Sequence, residues 1–296
     1  MTDDATTSGT SGHEPVMVSE VVSYLGGRGT VVDMTLGAGG HTEALLEAGV
    51  ARVIGIDRDP TASAMASERL APYGDRFQNV RTTFSGVDSE LTGGPVDGVL
   101  YDLGVSSMQL DTAERGFSYR IDGPLDMRMG GPSEVDTLTA AELVNELPEA
   151  ELADLIYEYG GEHRSRRIAR AIVRKRPITT TDQLAGVIAG ALGKRPGGPH
   201  PARRTFQALR IAVNREIEEF AASLPRAVEL LAPGGRVVVI AYHSLEDRIS
   251  KRSFREEERL TILTKKPQRP SEDEIARNPR GRAALLRAAE RTEAAA

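Results

Sequence analysis

Three acidic residues, Asp33, Asp57 and Asp102, each close an apolar run, and the first leads directly into Met34-Thr35-Leu36-Gly37-Ala38-Gly39-Gly40-His41. Glycines permit a tight turn and a close approach of backbone to ligand, and a helix starting behind them offers unpaired N–H groups. Asp57 ends the next apolar run, Arg52-Val53-Ile54-Gly55-Ile56, 20 residues after Gly37. A carboxylate at that place can accept hydrogen bonds from both hydroxyls of a ribose. The spacing suits either a dinucleotide or S-adenosylmethionine. A dinucleotide fingerprint asks for a third glycine where this chain has Thr42. An acid at Asp33 would repel a pyrophosphate, and it suits a cationic sulfonium that carries an amino group. The corner therefore favours S-adenosylmethionine over NAD or a purely structural turn.

Asp102 closes Val96-Asp97-Gly98-Val99-Leu100-Tyr101 and opens into Leu103-Gly104-Val105-Ser106-Ser107. The exocyclic amine of cytosine or adenine has its lone pair drawn into the ring. Methylating it calls for an acceptor that binds an N–H and eases proton loss, and Asp102 can be that acceptor. The chain has no cysteine. Disulfides and thiolate metal sites are thereby excluded, as is the thiolate attack that ordinarily opens methylation of a pyrimidine ring carbon. Base methylation is thus directed to an exocyclic amine or a hydroxyl. Acids at strand ends can also simply cap the next helix. That reading fits each acid singly, and fits less well three acids converging beside a glycine turn.

Convergence of this kind needs a parallel sheet, whose ligands bind outside the carboxyl ends of the strands. The first hundred residues have that rhythm, with strands expected at 30–35, 52–57, 78–83 and 96–102 and helices at 41–48 and 60–71. Helical patterns follow near 138–145, 149–159, 163–176, 180–192 and 203–231. Strand character returns at 234–242, ending in Tyr242 and His243, and is followed by a charged helix at 244–258. A short strand at 260–264, a short helix around 272–277 and a final apolar run near 283–289 would close the sheet with an antiparallel pair. The expected fold is α/β, a class I Rossmann-like methyltransferase with a doubly wound, mostly parallel seven-stranded sheet and a helical insertion. The boundaries are residues 13–108 and 212–296 for the cofactor-binding domain and 109–211 for the insertion.

Of the 296 residues 40% are hydrophobic, enough for one large core and an insertion, and no stretch approaches the apolar length of a membrane span. Residues 1–12 are polar and acidic, without the basic start or apolar core of a signal peptide, and read as a disordered tail of a cytoplasmic protein. The net charge of −6 argues against indiscriminate coating of nucleic acid. The five histidines show no metal-ligand spacing, so no metal site is expected. A local basic surface is present all the same. On the helix expected at 163–176, Arg166, Arg167, Arg170 and Arg174 share one face opposite Ile168 and Ile172. A second cluster, Lys194, Arg195, Arg203 and Arg204, surrounds Pro196-Gly197-Gly198-Pro199 and strengthens the expectation of phosphate binding over that of an ordinary solvated face.

Longer motifs carry a resemblance. Asp102-Leu103-Gly104-Val105-Ser106-Ser107 with Gln109-Leu110-Asp111, then Glu114-Arg115-Gly116-Phe117-Ser118 and Gly123-Pro124-Leu125-Asp126-Met127-Arg128-Met129, resemble the bacterial 16S ribosomal RNA (cytosine-N4)-methyltransferase family. So do His200-Pro201-Ala202, Arg204-Thr205-Phe206-Gln207-Ala208-Leu209-Arg210 and His243-Ser244-Leu245-Glu246-Asp247-Arg248, and the likeness runs from His13 to about Thr292. The resemblance implies that Gly39, Gly40, His41, Asp57, Phe84, Asp102 and Gln109 contact S-adenosylmethionine, leaving S-adenosylhomocysteine as product. Phe84 could stack on adenine or serve the core, and Gln109 could bond the ligand or pin its turn. The implied reaction is methylation of N4 of a cytidine in 16S rRNA of the small ribosomal subunit, near the decoding centre at the P site, with Asp102 catalytic. Arg166, Arg170, Arg174, Arg203 and Arg204 are the expected RNA contacts, and neither membrane nor DNA is an expected partner. This chain departs from the family pattern at Arg203, where threonine is more usual, and at Tyr242, where phenylalanine commonly precedes His243. The alternatives are an NAD-dependent oxidoreductase, which would share the sheet and Asp57, and a non-catalytic RNA-binding protein, which would share the basic helix.

Overall fold

A computed structural model describes residues 15–193 and 198–292. The expected tail at 1–12, and Lys194 and Arg195 of the second basic cluster, lie outside these residues. The chain runs α1 (Val18–Leu25), β1 (Thr30–Asp33), α2 (Gly40–Glu47), β2 (Arg52–Asp57), α3 (Pro60–Leu70), β3 (Phe77–Arg81), α4 (Ser89–Thr92) and β4 (Val96–Asp102). It continues through α5 (Ser107–Asp111), α6 (Ala140–Glu146), α7 (Glu149–Gly160), α8 (Ser165–Lys175), α9 (Thr181–Leu192), α10 (Arg203–Asn214) and α11 (Glu216–Leu230). It closes with β5 (Leu231–Ala241), α12 (Ser244–Glu256), β6 (Leu260–Ile262), α13 (Glu272–Arg277) and β7 (Leu285–Arg291).

The seven strands form one sheet in the order β3-β2-β1-β4-β5-β7-β6. β1 to β5 are parallel and β7 runs antiparallel between β5 and β6, the closing pair that the sequence suggested. The central strands read as nearly unbroken apolar runs because helices cover both faces. Val21, Leu25, Leu45, Leu46, Ala66 and Leu70 of α1, α2 and α3 bury one face, and Phe220, Leu224, Ala227, Val228 and Phe254 of α11 and α12 bury the other. A third cluster, from Phe117 through Ile156, Ile168 and Leu184 to Phe206 and Val213, gives the helices between β4 and β5 a core of their own.

The continuous helix expected over 203–231 is two helices. Arg215 takes a left-handed conformation, φ 50 and ψ 38, and its N–H closes the end of α10. The break has a packing cause. Phe206, Leu209 and Val213 of α10 face the insertion core, while Phe220 and Leu224 of α11 face the sheet, so a straight rod would serve only one of them. The order reverses between β1 and β4, and the crevice at their carboxyl ends is where a doubly wound sheet accepts a ligand.

Candidate active site

The glycine turn is built from backbone geometry first. Gly39 is left-handed, with φ 81, and caps α2; a Cβ there would come within 2.9 Å of Leu70 Cδ1. The first bond of α2 runs from Glu43 N–H to the Gly39 carbonyl (2.9 Å), so the amides of Gly40, His41 and Thr42 precede the ladder and are the donors a helix N-terminus leaves over. Asp33 explains why the turn leaves β1 as it does. Its carboxylate accepts from Thr35 N–H at 3.1 Å and from the Thr42 hydroxyl at 2.8 Å, pinning α2 to the strand end. Burial pushes its carboxyl above the ordinary value, against the pull of neighbouring His41. Asp33, whose charge weighs against a pyrophosphate in the sequence, is fully buried and does not line the cavity. Its carboxyl serves the fold because burial closes it off from the cavity.

Asp57 does line the cavity, and it also holds two turns, since Oδ2 accepts from Gly37 N–H at 2.9 Å and Oδ1 from Asp59 N–H at 2.8 Å. Burial raises its carboxyl to about 6, with those two donors acting in the opposite direction. Each oxygen retains a second lone pair for a ligand hydroxyl. Phe84 sits in a short 3-10 turn after β3, lines the cavity, and meets Tyr101 edge-on with ring centroids 5.5 Å apart. It packs against the core through Tyr101 and at the same time forms part of the cavity wall.

At the end of β4 the Asp102 N–H donates to Thr35 Oγ1 at 2.6 Å, locking this strand end to the β1 turn. The Tyr242 hydroxyl donates to Asp102 Oδ1 at 2.8 Å, a bond that phenylalanine could not make. Burial, then the Asp102 carboxylate, holds the Tyr242 phenol well above its ordinary pKa, so it keeps its proton. Asp102 Oδ2 lies 3.3 Å from His41 Nε2, near enough for an ion pair but not aligned as a hydrogen bond, and among the described residues neither buried ring nitrogen of His41 has a hydrogen-bond partner. Burial opposes charge on His41, but Asp102, then Asp33 and Glu274, outweigh it and raise its pKa.

Gln109 lines the cavity, and both ends of its amide are engaged. Its Oε1 accepts from Ser106 N–H (3.1 Å) in a capping box that starts α5, and its Nε2 donates to Asp59 Oδ2 (3.0 Å). Arg115 reaches the same Asp59 oxygen at 2.7 Å, and the pair is nearly closed to solvent, 14% and 1% exposed. Asp59 also caps α3 through Thr61 N–H (2.9 Å). This link from the ribose corner to the insertion was missed by sequence reasoning; the Glu114-Arg115-Gly116 motif was its only local trace.

These groups share one cavity of about 980 Å³. Gly40, His41, Asp57, Phe84, Asp102, Gln109 and Arg203 line it, whereas Gly39, Arg166, Arg170, Arg174 and Arg204 do not. Arg204 turns to the Gly161 carbonyl (3.1 Å) and to Glu162 (3.8 Å). Arg166, Arg167, Arg170 and Arg174 of α8 are exposed, and Arg170 reaches Glu149 of α7 at 3.4 Å. His243, next to Tyr242 at the strand end, caps α12, its Nδ1 3.5 Å from Glu246 N–H while Glu246 Oε2 accepts from Tyr242 N–H (2.8 Å). Pocket size, free amides at α2, an acceptor at β2 and the orphaned imidazole of His41 fit an S-adenosyl ligand, and the volume is at the upper end of the roughly 300–1,000 Å³ of small-ligand sites. Among the described residues no His, Asp and Glu cluster could hold a metal ion, and no helix is long and apolar enough to cross a membrane.

A doubly wound sheet of this strand order, with a glycine turn after β1, an acid after β2 and an acceptor after β4, is that of a class I methyltransferase. The family model described as the MraW methylase family matches residues 10–292, and the chain belongs to that family. It is 51% identical to the ribosomal RNA small subunit methyltransferase H of Methylobacterium sp. (strain 4-46), over 96% of this chain and 92% of that one. It is 53% identical to the protein of the same name from Synechococcus elongatus, over 89% of this chain and 88% of that one. The Azorhizobium caulinodans protein, also so named, is 48% identical over 97% and 89%. The chain is thus a methyltransferase that uses S-adenosylmethionine, and neither the oxidoreductase nor the non-catalytic reading stands.

Proposed function

We propose that this enzyme methylates N4 of a cytidine in 16S rRNA, near the decoding centre of the small ribosomal subunit, in the cytoplasm. The observation that carries the reading is Asp102, placed at the wall shared by the ribose corner and the insertion, with one oxygen bonded to Tyr242 and the other facing His41. S-adenosylmethionine, when bound, supplies an electrophilic methyl on a sulfonium. Gly40 and His41 amides hold the methionyl end, Asp57 the ribose hydroxyls, and Phe84 the adenine face. Asp102 Oδ2 accepts an N–H of the target amine, aligning its nitrogen and drawing the proton away as the nitrogen becomes positive. Tyr242 fixes the carboxylate so that Oδ1 is occupied and Oδ2 is the oxygen presented. The helices at 109–211 serve as the RNA-reading domain, with Arg203 at the cavity and Arg166, Arg170, Arg174 and Arg204 outside it.

Transfer of a labelled methyl group from S-adenosylmethionine to small subunits, followed by nucleoside digestion, tests this reading. The product expected is N4-methylcytidine. Label on a ring carbon or on a ribose would mean that Asp102 does not act as the acceptor of an amine proton, and the absence of cysteine already argues against the ring carbon.

A further inference from the structure

We propose that Tyr119, backed by His200, is a stacking platform for a second nucleobase, that of a nucleotide adjacent to the target cytidine. The proposal rests on the RNA-methylating reading above and extends it to a base that is bound but not modified. Tyr119 lines the same cavity as Asp102, on the wall formed by the segment after β4, beside Phe117, Arg120 and Ile121. Its ring is held from two directions within the protein. The imidazole of His200 lies parallel to it, with centroids 4.8 Å apart and an interplanar angle of 10°, and Phe206 of α10 meets it at 82° and 5.7 Å. A half-buried ring fixed in this way is a flat plate set in advance at the mouth of the cavity.

The surroundings of the plate match a nucleotide strand. The exposed Arg120 guanidinium lies over the Tyr119 ring, 5.8 Å from its centroid, so an incoming base would take the place of this side chain on the plate, and exposed Arg203 stands on the same cavity. Neither has a carboxylate within ion-pair reach among the described residues, whereas the cavity arginines Arg58, Arg69, Arg210 and Arg280 are paired with Glu134, Glu43, Glu216 and Asp111. Among the described residues, the cavity arginines without a carboxylate are thus Arg120, which lies over the plate, and Arg203, which follows His200 by three residues. Ile121, 38% exposed, adds apolar surface there. An aromatic face with adjacent unpaired guanidinium groups is how single-stranded nucleic acid is held without base-specific hydrogen bonds. The target base has to leave its stack for its amine to reach Asp102. A neighbour stacked on Tyr119 would keep the strand open at the cavity mouth and fix the register of the target nucleotide.

The test is steady-state methylation of small subunits by the full chain, with KM for the subunit separated from kcat and S-adenosylmethionine affinity measured by calorimetry. Tyr119→Leu should raise that KM by about 5- to 150-fold, the range for loss of one base–aromatic stack. Tyr119→Phe should keep the wild-type value, and cofactor affinity should be unchanged in both. His200 is exposed, but its Nδ1 accepts from Ala202 N–H (3.2 Å) at the start of α10, so His200→Ala is checked by thermal unfolding; it should raise KM in the same direction by less. Wild-type KM in Tyr119→Leu and His200→Ala would overturn the platform. An equal rise in Tyr119→Phe would overturn it too, since the hydroxyl rather than the ring face would then be responsible. If wild-type enzyme itself failed to methylate subunits, the reading of the substrate would fall instead, and the two failures are told apart by that control.

Discussion

The cofactor corner and the insertion are built in opposite ways. At the corner, Asp33, Asp57, Asp59 and Asp102 all have partners inside the protein before any ligand arrives, and the relevant amides are fixed by a left-handed glycine. On the insertion, Arg120, Arg203 and the arginines of α8 are exposed, and among the described residues only Arg170 of these meets a carboxylate, Glu149 at 3.4 Å with both side chains open to solvent. A small rigid ligand rewards preorganisation, because groups already held in place lose little freedom on binding. A long polyanion is met by mobile cations that release counterions. Polar side chains that look alike in sequence therefore divide by burial into those that build a site and those that await a partner.

The sharpest way to break that division is at Asp102, which belongs to the corner and is proposed to act on the RNA. Asp102→Asn should leave cofactor affinity nearly intact and slow single-turnover methyl transfer by about 10²- to 10⁴-fold, and Asp102→Ala should abolish transfer. Wild-type single-turnover rates in Asp102→Asn would leave it only a positioning role.

Next in size is the joint between the two regions. Arg115→Met strands the buried Asp59 carboxylate, and breaking such a pair typically lowers stability by about 3 to 5 kcal/mol. Thermal unfolding should show the loss, and because Asp59 N–H braces Asp57, affinity for S-adenosylmethionine should fall with it. An unchanged melting temperature would mean that the corner and the insertion are mechanically independent.

At Asp57 the effect should depend on pH. Its carboxyl, raised to about 6 from 3.8, binds protons more tightly folded than unfolded. Its contribution to stability is therefore complete below about 4 and is lost as pH rises through about 6. Cofactor binding follows the reverse course, since the charged form is the better acceptor. Affinity should be level above about 7 and fall by at most about tenfold per unit on acidification below about 6. Calorimetric titration across pH checks it, and a flat profile would place the ribose elsewhere. Asp57→Ala should weaken binding by about 10- to 150-fold, and it should also lower stability, because the Gly37 and Asp59 amides lose their acceptor.

The smallest effect separates two groups of arginines within the insertion. Replacing Arg166, Arg170 and Arg174 by Gln should flatten the salt dependence of subunit binding by about one log-log unit per lost phosphate contact. Arg203→Gln should in addition change kcat, because Arg203 lines the cavity and the α8 arginines do not. Equal kinetic behaviour of the two variants would erase the distinction.

Much of the corner was legible because its signals are local. Apolar runs, the glycine turn and the strand-end acids at Asp57 and Asp102 each express themselves within a few residues. Three things were not. Asp33 reads as a ligand group until its bond to Thr42 is seen. Arg215 is a good helix former, and only the two cores on either side of it demand a left-handed break. The bonds from Tyr242 to Asp102 and from Arg115 to Asp59 join residues 140 and 56 positions apart, distances over which single-sequence patterns carry no information.

The placement of β7 has a consequence for biosynthesis. All five parallel strands are complete by Ala241, yet β6 has no strand neighbour other than β7, and the cavity still lacks Asn278, Arg280 and Ala283. A nascent chain folds as it emerges from its N-terminal end. The half-built protein can thus shelter its glycine corner early, while the wall that makes a working pocket waits for the last strand to slot in beside β5. The order of the chain thus separates the cofactor turn, made first, from the C-terminal wall at Asn278, Arg280 and Ala283, made last.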